Sequence, residues 1–257
     1  MTAQYKLMVF IFLALALILF ANISNASYTV TQINTTVIIN LNSTAQVMES
    51  INISISNESL KQYSIDRAGL NLTLSNWQSI ISPQIVPHII NPKSGVYGFN
   101  LLPGPIKKTY YGGIATIYMN YYVKNVTSIN QTGPRNFIYT FNSDVLNFAH
   151  GSNGVVLSPN TRLNIILPPT SKIISIYPIP DSPQTTLGNF TNITKVSWFD
   201  GEPLYNFKLV FVSKESIFDE VIKFFNSLYA QLGIFLYLII IGVVLAIIFY
   251  TYIKNHK

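Results

Sequence analysis

The chain has 257 residues, with 16 Lys and Arg against 10 Asp and Glu, a net charge of +6, and no cysteine. The missing cysteine excludes disulfides, thiolate-bound zinc, thiol catalysis and a lipid-modified N-terminal cysteine. Only about a tenth of the residues are charged, so the positive balance reflects scarce acids rather than a basic patch, and nucleic acid is not an expected partner.

Residues 1–26 read as a secretory signal. Lys6 supplies a positive n-region, 7–21 is an unbroken apolar run, and Ser24, Asn25 and Ala26 fit a small-residue cleavage site. A retained N-terminal anchor is the alternative, and it implies the same topology. Eleven Asn-x-Ser/Thr sequons follow, beginning at Asn22, Asn25, Asn34, Asn42, Asn52, Asn57, Asn71, Asn125, Asn130, Asn189 and Asn192. That is well above what 42 Ser and Thr in 257 residues give by chance. All eleven precede residue 214, in keeping with an exported region.

That region, 27–213, is long enough to bury a core as one large domain or two small ones. Val37, Ile39 and Leu41 alternate with other positions, and Val47, Glu49, Ile51, Ile53 and Ile55 do so again after Asn42, Ser43 and Thr44. The pattern predicts a β-hairpin. Ser75 and Gln78 have the spacing of a capping box ahead of Ile80 and Ile81, which predicts a short helix carrying Trp77. Pro83, Pro87 and Pro92 mark a connection, so any division into two subdomains falls near 83–93.

Strand periodicity then returns. Ala115, Ile117, Met119, Tyr121 and Val123 form one strand face; Phe137, Tyr139 and Phe141 form another. Leu163, Ile165 and Leu167 lead into Pro168 and Pro169, and Ile174 and Ile176 precede a Pro-rich turn. Val196 and Trp198 are separated by Asp200 and Gly201 from the alternating Tyr205, Phe207, Leu209 and Phe211, which predicts a tight hairpin. So many short strands predict a mainly β, antiparallel sandwich with a short internal helix.

Residues 214–231 place Ile217, Phe218, Val221, Ile222, Phe225, Leu228 and Tyr229 at helical spacing, with charged residues between them and Ser216 as the cap. This predicts an amphipathic juxtamembrane helix, running into a span, lying on the leaflet or packed on the β domain. The 22 residues 232–253 carry no charge, and 15 of them are Leu, Ile, Val or Phe. As a helix they reach about 33 Å, enough for a hydrocarbon core of about 30 Å. They predict a transmembrane helix contacting the lipid bilayer, with 254–257 as a cytoplasmic tail by the positive-inside rule. Gly242 and Ala246 sit four apart on it and could let two anchors form a homodimer.

No H-E-x-x-H, G-x-S-x-G or phosphate-binding glycine loop is present, so no catalytic residue, metal or cofactor is expected. His88 and His150 stand alone in loop-like contexts; a dispersed hydrolase site would need His150 with Asp144 or Asp181. Lys107, Lys108, Tyr110 and Tyr111 interleave charge with aromatic surface and are the candidate contacts to a partner or glycan. A carbohydrate-binding module would use Tyr110, Tyr111, Trp77 or Trp198.

The layout of signal, sequon-rich β region without cysteine, helix, single span and short basic tail resembles the cell-surface glycoproteins of thermoacidophilic archaea. The resemblance covers style and topology over the full chain and brings no functional residue with it. It implies a cell-membrane protein with its ectodomain outside the cell, and the leading expectation is a non-catalytic ectodomain that binds another envelope component or a membrane-complex subunit. The expected modification sites are Asn34, Asn42, Asn52, Asn57, Asn71, Asn125, Asn130, Asn189 and Asn192.

Overall fold

A computed structural model of the chain describes residues 28–69, 73–133, 135–183, 193–214, 217–233 and 235–255. The signal at 1–26, the sequons at Asn22, Asn25, Asn71, Asn189 and Asn192, the cap at Ser216 and the end of the tail lie outside them.

The fold is mainly β. Strands β1 (Tyr28–Ile39) and β2 (Ala45–Ser56) form the predicted hairpin. Its turn is closed by Asn42, whose Oδ1 accepts from the Thr44 N–H (3.2 Å) and hydroxyl (2.7 Å). Odd-numbered residues are buried along all of β2 and in β1 from Ile33 onward, as the period of two requires. Two helices follow, α1 (Leu60–Ala68) and α2 (Leu74–Ile80). The cap of α2 is Thr73, whose side chain accepts from the Asn76 N–H, and not the predicted Ser75. Trp77 enters the core, at 1% exposure.

Beyond the Pro-rich connection come β3 (Tyr97–Pro103), β4 (Lys107–Thr109), β5 (Gly112–Val123), β6 (Thr127–Gln131) and β7 (Asn136–Phe141). They are followed by β8 (Ala149–Gly151), β9 (Gly154–Val156), β10 (Thr161–Ile166), β11 (Lys172–Tyr177), β12 (Lys195–Phe199) and β13 (Lys208–Lys214). One sheet has the order β12-β10-β1-β2-β5-β3, with β4 also on β5; a second has β11-β13-β7-β6. Both contribute to one continuous core, in which Tyr139 stacks on Phe211 at 5.0 Å and Trp198 meets Phe207 edge-on at 5.1 Å.

Two expectations change. First, the large sheet is mixed: β10 lies parallel to β1, pairing Ile33 with Thr161 and Val37 with Ile165. A parallel neighbour needs a long crossover, and the chain makes it between β2 and β10. Second, Asp200 and Gly201, with φ of 37° and 78°, do not close a hairpin. β12 pairs with β10, whereas β13 pairs with β7 and β11 in the other sheet. Alternating strands on either side of a turn look the same whether they pair with each other or face one core from opposite sheets. In β11 the buried residue is Ile173, and Ile174 is 57% exposed, with a register shift between Ile173 and Ser175.

Pairing across the connection at 83–93 joins its two sides: β2 lies on β5 and β1 on β10. The connection itself is anchored, with Ile85, His88, Ile89 and Asn91 buried. Helix α3 (Ile217–Leu232) leaves the domain after β13 and is followed by α4 (Phe235–Asn255). Ile217, Phe218, Val221, Ile222, Phe225 and Tyr229 are 42% to 73% exposed, and Arg135 Nε meets Glu220 Oε2 at 3.3 Å. Counted over the described residues, no helix is long and apolar enough to cross a membrane; the side chains described in α4 are those of Phe235, 241–248, Thr251 and Tyr252.

Candidate functional site

Tyr110 and Tyr111 form the tip of the β4–β5 hairpin, 88% and 84% exposed, with their rings edge-to-face at 4.7 Å. Lys107 and Lys108 on β4 are exposed beside them. Two glycines set this tip. A Cβ on Gly112 would come within 2.1 Å of the Ile55 carbonyl oxygen, and one on Gly113 within 2.8 Å of Leu60 Cδ2. The chain therefore hugs β2 and α1 there and throws the two tyrosines outward. Tyr63 OH donates to Gly104 O (2.9 Å) and Arg67 Nε to Pro103 O (3.0 Å), tying α1 to the segment entering the hairpin.

The register locates the tip. Gly112 pairs with Ser56 at one end of β2, and Val123 with Ala45 at the other, beside the 40–44 turn. That turn touches the strands leading to the helices: Val126 N donates to Ser43 O (3.0 Å), and Tyr139 OH to Leu41 O (3.2 Å), with Tyr139 opposite Phe211 of β13. Eleven residue steps along β5, at about 3.3 Å each, make roughly 36 Å between that end and the tip.

A second constellation lies inside. Glu49 takes an inward position of β2, among Val47, Ile51 and Ile53, and is 2% exposed. An unpaired carboxylate there would be costly; three donors meet this one. Its Oε1 accepts from the His88 backbone N–H (2.8 Å) and from the Tyr121 hydroxyl, and its Oε2 faces His88 Nδ1 at 2.5 Å. Tyr121 OH in turn accepts from Ile89 N (3.2 Å), and the His88 ring stacks on Phe148 with centroids 5.1 Å apart. Burial, then the Glu49 charge and the hydrogen bond to it, push the Tyr121 phenol far above its ordinary range.

Sequence reasoning placed Glu49 on the inward face of a strand and His88 in a loop, but did not connect them. The available signal was the carboxylate itself, the one charge in an apolar alternation. Trp77 and Trp198 are 1% and 0% exposed, which removes both from any sugar-stacking surface. Trp198 Nε1 donates to Pro178 O at 3.1 Å. His150 and Asp144, both exposed, line one cleft of about 600 Å³ without a hydrogen bond between them. Asp181 lies elsewhere and accepts from Phe199 N at 2.8 Å. Among the described residues no group of three or more His, Asp or Glu could hold a metal.

Of the described sequons, Asn42, Asn57, Asn125 and Asn130 are exposed and Asn34 and Asn52 are half-buried. The Asn52 amide is engaged: Nδ2 donates to Gln32 Oε1 (3.1 Å), and Oδ1 accepts from Thr116 Oγ1 (2.7 Å). Compared with protein-family models and with curated proteins, the chain matches none.

Proposed function

We propose that this is a membrane-anchored, N-glycosylated surface protein, held by a span at 232–253, whose non-catalytic β domain binds another component of the cell envelope. The observation that carries the reading is the Tyr110–Tyr111 pair. Two tyrosine rings exposed at over four-fifths serve no core, and they sit at the end of β5 opposite the 40–44 turn. On this reading that end faces away from the bilayer. Tyrosine supplies wide contact area at low entropic cost, and Lys107 and Lys108 add a positive rim suited to an acidic partner surface. The apolar side of α3 suits the outer leaflet, since Ile217, Phe218, Val221, Ile222 and Phe225 are exposed. Gly242 and Ala246 offer a contact for a second anchor.

Crosslinking from native membranes, with a tag on the cytoplasmic end, tests this. One dominant envelope partner, recovered with the native chain and lost with the Tyr110→Ala, Tyr111→Ala double variant, is the expected result. Recovery of the protein alone with several crosslinkers would overturn it.

A further inference from the structure

We infer that the cleft beside His88 binds a neutral, polyhydroxylated ligand the size of one sugar ring, with His88 Nε2 hydrogen-bonded to a ligand hydroxyl. The cleft measures about 380 Å³, toward the small end of the ligand sites that proteins build. Its floor is not ordinary core. Glu49 holds the imidazole through Nδ1, which fixes the ring orientation and leaves Nε2 outside that bond. Nε2 has no hydrogen bond to any described residue. Thr161 Oγ1 on the same wall is buried and has no hydrogen-bond partner, and Ser158 stands beside it.

The cleft thus offers one oriented ring nitrogen, two hydroxyls able to donate or accept, and the side-chain amides of Gln84 and Asn147. Ile33, Val86 and Phe148 supply apolar walls. No Asp, Glu, Lys or Arg lines it, and the Glu49 charge behind it is already met by three donors. A charged ligand would therefore be desolvated with nothing to pair it, whereas a sugar ring presents hydroxyls to the polar wall and C–H faces to the apolar one. This site is separate from the hairpin tip and does not depend on the anchor.

The test uses the full chain in detergent micelles, with the histidines ¹³C-labelled. Only His88, His150 and His256 contribute signals, and His150→Gln and His256→Gln assign them. The probes are glucose, mannose, galactose and N-acetylglucosamine, with their methyl glycosides and trisaccharides. A saturable shift of the His88 resonance is expected for at least one probe, in the millimolar range that a single ring of ordinary ligand efficiency reaches. Thr161→Val keeps the shape of a side chain that has no partner to lose, so it should leave thermal stability unchanged and weaken binding at least tenfold. Ser158→Ala should weaken it less. Binding of trisaccharides would make the occupant a glycan end, and binding of monosaccharides alone a free sugar; either supports the site. No saturable His88 shift with any probe overturns it, and so does a shift that a folded Thr161→Val variant leaves intact.

Discussion

Glu49 and His88 are joined twice, through the backbone N–H at 2.8 Å and through Nδ1 at 2.5 Å, although 39 residues separate them in the chain. The double contact pins the Pro-rich connection onto the inner face of the large sheet. Glu49→Gln keeps the shape but replaces an acceptor of charge-assisted hydrogen bonds with an amide that must also donate. A loss of about 2–4 kcal/mol is expected. Denaturant unfolding measures it, and a change below about 0.5 kcal/mol would show that the cluster does not hold the connection.

Alkaline stability should depend on the buried phenols. Burial raises the Tyr121 and Tyr63 phenols, the latter to about 12. Because the folded values lie above the unfolded value of 10.0, the protonated phenols favour the folded state. Their contribution is complete below pH 10 and is lost as pH rises through the folded values. Stability should thus fall above pH 10, by about 1.4 kcal/mol per pH unit for each phenol still protonated in the fold. Tyr121→Phe should flatten that slope, as measured by unfolding at a series of pH values; an unchanged slope would refute its assignment to Tyr121.

The hairpin tip separates function from folding. Tyr110→Ala with Tyr111→Ala touches no packed side chain except each other's ring, so stability should change by less than about 0.5 kcal/mol. Gly112→Ala should cost more than about 2 kcal/mol, because the new methyl overlaps the Ile55 carbonyl. Thermal unfolding of the two variants distinguishes them. A stable Gly112→Ala protein would mean that the strand can move away from β2.

Glycan occupancy should follow the exposure of each asparagine. Mass spectrometry of glycopeptides from the native source is expected to find Asn42, Asn57, Asn125 and Asn130 occupied more fully than Asn52, whose amide is held between Gln32 and Thr116. Equal occupancy at Asn52 would show that those contacts are absent when the modification is made.

Local chemistry determined much of this protein. Period-two alternation specified β1, β2, β5 and β7 and which side of each strand faces inward, because successive side chains must point to opposite faces. It also marked Glu49 as inward. The uncharged run at 232–253 reads as a membrane span from composition alone.

Only the tertiary structure decided which strands are neighbours. Alternation states that a strand has an apolar face and is silent on what lies against it. The chain around Asp200 and Gly201 therefore read as a hairpin, whereas β12 and β13 belong to opposite sheets. β10 finds β1 in parallel, with Ile33 opposite Thr161 and more than a hundred residues between them. The Glu49–His88–Tyr121 cluster is of the same kind. Each member is an ordinary residue in its own segment, and a buried carboxylate acquires meaning only when the fold delivers the donors that make its burial affordable.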